Sequence, residues 1–292
     1  MRKLITVLFF LVIASLGYSV NLESKTIDIS NDIDIHYLQS TYNETKPNLI
    51  MLTGRGTTAN FWPKDFIDNL AKSYNLYLLD YRNINTDRQS TKENYSISDM
   101  AEDVNTFATK ASIYSPSLLG WSMGGAVALE ASFEHPEEYS HLILLSPALP
   151  KTSTQKIPPA PAFKTTDDIY NYVFSINLYD YSKENLNAEK NRFINSEITK
   201  LFPSNEVLAK QITGVTKWRN SDDNLKKFKN IEMPIYIYVS LDDKVERVNE
   251  IKDTIAEVKN KKNITAKYFK NAGHAIAWDK SQELANAINK LA

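Results

Sequence analysis

Residues 117–125 read Ser117-Leu118-Leu119-Gly120-Trp121-Ser122-Met123-Gly124-Gly125. The segment before Gly120 is a brief apolar strand, and Met123–Phe133, rich in Ala, Leu and Val, predicts a helix. Gly-x-Ser-x-Gly at such a junction has a physical logic. The serine turns sharply out of the strand under backbone strain, and the flanking glycines leave room where other side chains would clash. The helix starts beneath the serine, so its N-terminal amides and dipole favour developing negative charge. Ser122 is therefore the candidate nucleophile.

On both sides of this stretch, strand and helix patterns alternate. Lys25–Ile29 and Ile33–Gln39 predict a hairpin, with turn chemistry in Ser30-Asn31-Asp32. Leu49–Leu52, Leu76–Leu79, Leu142–Leu145, Met233–Val239 and Ile264–Phe269 read as further strands. Helices are predicted at Trp62–Lys72, with Pro63 near its first turn, at Ser96–Lys110, near Glu246–Lys259 and at Ala275–Leu291. Continuous apolar strands between helices indicate parallel strands covered on both faces. The rhythm breaks after Leu145. Pro147–Phe163 holds five prolines, and aromatic-rich helical segments follow to about Asn220. An insertion of that length is too long for an ordinary loop and predicts a small helical lid.

Composition narrows the chemistry. The 292 residues carry 34 Lys plus Arg against 35 Asp plus Glu, a formal net charge of -1, which does not indicate a nucleic-acid surface. Cysteine is absent, which excludes disulfides, a thiolate nucleophile and cysteine-ligated metals. No His-Glu-x-x-His motif or clustered acidic metal motif is visible, and no Gly-x-Gly-x-x-Gly opens the first unit. No metal or other cofactor is expected.

The N-terminus follows a separate pattern. Arg2 and Lys3 precede an apolar run from Leu4 to Leu16, followed by Gly17, Tyr18 and Ser19. This is the layout of a secretory signal peptide, and the run is short of the roughly 20 residues of a membrane span. The expectation is export to the periplasm or the exterior, with a mature start near Val20 or Tyr18 and no stable membrane span after cleavage. An uncleaved N-terminal anchor is the alternative.

Taken together, Leu52–Gly56, Asp80–Ser90, Ser96–Asp103, Ser117–Gly125 and the late segments around Asp243 and His274 resemble the alpha/beta hydrolase fold family, in its lidded esterase and peptidase-like branch. The resemblance implies an α/β three-layer sandwich, a mostly parallel sheet with a helical lid insertion. Its domains would be residues 1–19 as signal peptide, 20–146 and 221–292 as core, and 147–220 as lid. It also implies a triad in the order Ser, Asp, His. The family's acid usually follows the next-to-last core strand in a Gly-x-x-Asp setting, and here Val239-Ser240-Leu241-Asp242-Asp243-Lys244-Val245 matches, with serine in place of the glycine. The spacing favours Asp243, with Asp242 as the alternative acid. The family histidine falls on His274.

The histidines themselves point the same way. Of the four, His36 lies on the hairpin, His135 follows a helix, and His141 starts a strand at its N-terminal edge, away from the end where parallel-sheet sites form. Only His274 sits in a post-strand loop beside a glycine. The backbone amide of Met123, and by resemblance that of Arg55, are the expected oxyanion donors. The Arg55 side chain is expected to pair with a lid carboxylate, the alternative being contact with an anionic substrate group. Asp80, Arg82 and Asp103 read as loop braces. Trp121 is a possible substrate-pocket residue. Phe163, Tyr170, Tyr172, Phe174, Tyr179 and Tyr181 are read either as an apolar pocket or as packing within the lid.

The leading expectation is hydrolysis of a small-molecule carboxylic ester through an acyl-enzyme. The alternatives are an amide or aminopeptidase-like hydrolase, an acyltransferase, and a non-catalytic secreted binding protein on the same scaffold.

Overall fold

A computed structural model describes residues 19–30, 32–88, 95–156, 165–180, 203–292 and positions 182, 184, 187, 188 and 191. The signal-peptide expectation, Phe163 and Tyr181 therefore fall outside the described residues.

Eight strands form one sheet: β1 (Leu22–Ser30), β2 (Ile33–Ser40), β3 (Asn48–Leu52), β4 (Asn75–Leu79), β5 (Ser117–Trp121), β6 (Leu142–Leu145), β7 (Ile235–Ser240) and β8 (Ile264–Phe269). Their spatial order is β1-β2-β4-β3-β5-β6-β7-β8. The hairpin β1–β2 is antiparallel and joins β4 antiparallel, while every pairing from β4 to β8 is parallel. β4, β5 and β6 are buried along their whole length, as strands covered on both faces must be.

Alternate residues feed two cores. Ile50, Leu52, Leu118 and Leu144 point to the layer holding α2 (Ile97–Lys110) and α3 (Met123–Glu134). Leu49, Met51, Leu119 and Leu145 point to the layer of α1 (Lys64–Leu70) and the C-terminal helices. Period-two alternation thus places a helix layer on each face of the sheet. Ser96 opens α2 with a capping box shared with Asp99, which satisfies two amides at the helix start.

Two of these connections position the site. β3 is flanked by β4 on one side and β5 on the other, so the strand order reverses direction about it. A crevice opens at such a switch point, beyond the carboxyl ends of the strands. The loops after β3, β5, β7 and β8 all emerge at that edge.

Three sequence expectations need correction. Ala275–Leu291 is not one helix. α8 (Ile276–Asp279) and α9 (Ser281–Ile288) are separated at Lys280, whose φ of -129° and ψ of 33° are not helical. The Asp279 carboxylate accepts from Gly273 N at 2.7 Å and Tyr179 N at 3.0 Å, tying the short first piece to the histidine loop. Trp62–Lys72 shortens to α1 because Pro63 serves as the N-cap rather than lying inside the helix. The helix expected near Glu246–Lys259 is α7 (Val248–Ala256).

Within the expected insertion, α4 (Thr166–Asn177) and α5 (Asn205–Arg219) are described, and α6 (Asp222–Lys229) follows. α4 ends over the site loops: Ala275 N donates to Asn177 O at 2.9 Å, and Lys244 Nζ donates to Leu178 O at 3.0 Å. Phe174 on α4 is buried edge-on against Trp278, with ring centres 5.5 Å apart. α5 packs on the other side, where Trp218 Nε1 donates to Glu130 Oε2 on α3 at 2.8 Å. Among the described residues, no helix is long and apolar enough to cross a membrane.

Candidate active site

Ser122 sits at the junction of β5 and α3 with φ 55° and ψ -118°. A non-glycine residue at positive φ is strained and persists only where its surroundings impose it. They do so here through close backbone contact. A Cβ on Gly120 would lie 2.3 Å from Gly124 O, and one on Gly124 would lie 2.3 Å from Leu52 O. Only glycine lets the helix start press this tightly against β3 and β5. Ser122 N donates to Leu145 O at 3.0 Å, and Ser122 O accepts from Ala148 N at 2.9 Å, fixing the turn to β6 and the loop beyond it.

The side chains at this turn form one chain of hydrogen bonds. His274 Nε2 lies 2.8 Å from Ser122 Oγ, and His274 Nδ1 lies 2.8 Å from Asp243 Oδ2. A carboxylate only accepts, so Nδ1 carries the proton and Nε2 is left to accept from the serine hydroxyl. The other oxygen, Asp243 Oδ1, accepts from Val245 N at 2.7 Å and Glu246 N at 2.9 Å. These bonds fix the carboxylate, which fixes the imidazole. All three residues are buried. Asp242 points elsewhere: its Oδ2 accepts from Asn271 N at 2.8 Å. Of the two adjacent aspartates, the structure brings only Asp243 to the histidine.

Trp121 is a correction to the sequence reading. Its ring is 4% exposed and stacks on Phe61 at 5.1 Å, in the core under the histidine loop. Its indole N–H donates to His274 O at 2.9 Å. Trp121 braces the histidine from below and does not line the cavity that opens at Ser122.

That cavity measures about 160 Å³, and Arg55, Ser122, Met123, Thr152, Arg219 and Glu246 are among its lining residues. Met123 is the first residue of α3, so its amide has no acceptor within the helix. Arg55 reaches the cavity from the loop after β3, which is held by Gly56 N donating to Gln211 Oε1 on α5 at 2.8 Å. Among the described residues, the pocket lining is polar, aliphatic and charged, and none of Tyr170, Tyr172, Phe174 and Tyr179 belongs to it.

Arg219 and Glu246 were not singled out from the sequence. They form a buried ion pair across the cavity wall. Burial pushes the Glu246 carboxyl up, opposed by Arg219 and His274. The expected pairing of Arg55 with a lid carboxylate is not seen among the described residues, and part of the lid lies outside them. Its guanidinium has no ion-pair or hydrogen-bond partner among the described residues. Glu246, the largest electrostatic attraction on Arg55, is engaged by Arg219 instead.

Two further groups sit where the sequence placed them as braces. Arg82 donates from Nε to Asp103 Oδ2 at 2.6 Å and from Nη2 to Asp103 Oδ1 at 2.7 Å. Asp80 accepts from Ala59 N at 2.6 Å and from Asn85 Nδ2 at 2.7 Å. Asp80 Oδ2 also lies 2.7 Å from His36 Nδ1, and His36 Nε2 lies 2.9 Å from Ser24 Oγ. This is a second Ser-His-Asp chain. Ser24, however, is an exposed residue inside extended β1, with no strained turn and no helix start behind it to hold an oxyanion. The residue types alone do not make a site.

The geometry agrees with what the chain is similar to. Residues 47–221 match the alpha/beta hydrolase fold family. The chain belongs to that family. A pimeloyl-[acyl-carrier protein] methyl ester esterase of Yersinia enterocolitica is 36% identical over 99 residues, 34% of this chain and 36% of that relative. The match therefore spans about a third of the relative's length. A serine hydrolase structure from Cycloclasticus zankles has a TM-score of 0.72 at 17% identity, covering 93% of this chain and 98% of that one. An alpha/beta hydrolase fold protein from Chitinophaga pinensis has a TM-score of 0.77 at 14% identity, covering 92% and 97%. At such identities the structures share the fold. The chain is thus a member of the alpha/beta hydrolase fold family, with esterases among the relatives it matches in part.

Proposed function

We propose that the protein hydrolyses small carboxylic esters through Ser122, His274 and Asp243. The observation that carries this reading is the unbroken chain from Asp243 Oδ2 through His274 to Ser122 Oγ, with both links at 2.8 Å. His274 Nε2 takes the hydroxyl proton as Ser122 Oγ attacks the ester carbonyl. The Met123 and Arg55 amides stabilise the oxyanion. His274 then returns the proton to the departing alcohol, leaving an acyl group on Ser122. Water, activated by the same nitrogen, attacks the acyl-enzyme and frees the acid. Each step is carried by the chain's own groups and water. The ester preference draws support from the methyl ester esterase relative. In this reading, residues 147–220 act as a lid that limits water at the site.

The test pairs wild type with Ser122→Ala on one set of preparations. A fluorophosphonate probe should label wild type at Ser122 and leave the variant unlabelled. Ester turnover should fall by about 10⁴–10⁶, and a residue of roughly 10³-fold over water is expected from the remaining binding groups. Equal labelling and equal turnover in both proteins would remove Ser122 from the mechanism.

We also propose, from Arg2, Lys3 and the apolar run Leu4 to Leu16, that the protein is exported and cleaved. Intact mass of the exported protein should give a start near Val20 or Tyr18. A membrane-bound product retaining Met1 would mean an anchor instead.

A further inference from the structure

Among the described residues, the wall of the cavity beside Ser122 carries more positive charge than its one carboxylate neutralises. Among the described residues, its charged wall consists of Arg55, Arg219 and Glu246. Arg219 and Glu246 pair with each other, both more than nine-tenths buried. The pairing is incomplete: Arg219 Nε and Glu246 Oε2 have no hydrogen-bond partner. Arg55 is left over. It is half-buried, it has no described ion-pair or hydrogen-bond partner, and burial together with Arg219 disfavours its charge. Among the described lining residues, two guanidiniums face one carboxylate, a surplus of one positive charge.

A surplus cation in a partly desolvated pocket is costly unless something of opposite sign joins it. A neutral acyl chain gains nothing from it, and a cationic substrate is repelled. A carboxylate is matched by guanidinium geometry, which can grip both of its oxygens. The described cavity is small, about 160 Å³, close to the roughly 150 Å³ that admits one benzene-sized molecule, which favours a carboxylate within a few bonds of the ester carbonyl.

We infer that the substrate is a short ester carrying one carboxylate, held by Arg55 and Arg219 in the cavity where Ser122 attacks its carbonyl. This rests on the hydrolase reading above and narrows it to a substrate class. The carboxylate anchors the substrate, and the bonds made and broken are those of ordinary acyl transfer to serine and then to water.

The experiment compares kcat/KM for methyl hydrogen glutarate with that for neutral methyl pentanoate and cationic methyl 4-(trimethylammonio)butanoate. Acetoxyacetate against ethyl acetate places the carboxylate on the alcohol side. At least one anionic ester should exceed its neutral counterpart by about tenfold or more, the scale of one charge-assisted hydrogen bond. Arg55→Met should reduce that anionic-to-neutral ratio by about tenfold or more, and Arg55→Lys should restore part of it. Direct binding of monomethyl glutarate to the Ser122→Ala protein gives a readout independent of turnover, and adding Arg55→Met should weaken it about tenfold or more. Anionic esters no better than neutral ones, a preference for the cationic ester, or a ratio indifferent to Arg55→Met would overturn the inference. In those cases probe labelling of Ser122 would leave the hydrolase reading standing. If no ester is turned over and Ser122 is not labelled, the hydrolase reading fails, and the binding measurement alone decides whether the anion site exists.

Discussion

The indole nitrogen of Trp121 donates a 2.9 Å hydrogen bond to the carbonyl oxygen of His274. The residue before the candidate nucleophile thereby holds the backbone of the residue that faces it. The ring of Trp121 also lies under the imidazole, with centres 5.4 Å apart, and Phe61 stacks against the indole. β5 and the loop after β8 thus meet twice, once through Ser122 Oγ and His274 Nε2 and once through this brace.

Trp121→Phe removes the donor and keeps most of the ring. The His274 carbonyl is then left buried without that partner, which costs about 1–3 kcal/mol. Turnover should fall about tenfold, the rate equivalent of ~1.4 kcal/mol at the barrier. KM should change less than kcat, because the brace acts on the imidazole and Trp121 does not touch the cavity. Steady-state kinetics with thermal unfolding on the same protein separates the two effects. An unchanged kcat with a lowered melting temperature would make Trp121 a packing residue only.

The elbow and the parallel core were readable in the sequence because their signals are local. Gly120 and Gly124 flank a serine between an apolar strand and a small-residue helix, and the structure requires glycine there because a Cβ would meet backbone atoms at 2.3 Å. His274 was readable by its loop. The choice between Asp242 and Asp243 is different. Both follow β7, and which carboxylate faces the histidine depends on how the loop turns after Ser240, which Val245 N and Glu246 N settle by bonding to Asp243. Arg219 and Glu246 were not legible at all. One ends α5 and the other lies in the loop after β7, and no spacing rule links them. Trp121 misled for the opposite reason: its position beside Ser122 is local, but an alternating strand sends neighbouring side chains to opposite faces. The break at Lys280 has no glycine or proline to mark it; Asp279-Lys280-Ser281-Gln282-Glu283 is a wholly polar stretch that a continuous helix could also expose.

The Arg82–Asp103 pair supplies a test of fold stability away from the site. Both side chains are almost wholly buried, at 3% and 7% exposure, and the contact is two-pronged. Removing one partner strands a buried charge, which typically costs about 3–5 kcal/mol. Arg82→Met should lower the unfolding free energy by that order, read as a shift in the denaturant midpoint. Arg82→Met combined with Asp103→Leu removes both charges and should be more stable than Arg82→Met alone. A double variant as unstable as Arg82→Met, or less stable, would mean that the loop after β4 depends on other contacts of Arg82, such as its bond from Nη2 to Asp99 O at 2.9 Å.

The adjacent aspartates give the sharpest test of the site. Asp243 is buried and orients His274 through Oδ2, while its Oδ1 is held by two amides of its own loop. Asp242 is spent on Asn271 N at the surface. Asp243→Asn keeps the shape of the side chain but lets an amide face His274 Nδ1. If its NH₂ group turns toward the ring, Nδ1 must accept, the proton moves to Nε2, and His274 can no longer take the proton of Ser122. Turnover should drop by about 10⁴, as expected when the histidine is held in the wrong tautomer. Asp242→Asn retains an oxygen that can still accept from Asn271 N, and its turnover should stay within about twofold of wild type, since surface changes of this kind lie within ~0.5 kcal/mol. Both variants should unfold cooperatively, which circular dichroism on heating would check. A large loss confined to Asp242→Asn would transfer the acid's role to the neighbouring residue, and the chain from Asp243 through His274 to Ser122 would then not be the one that carries the proton.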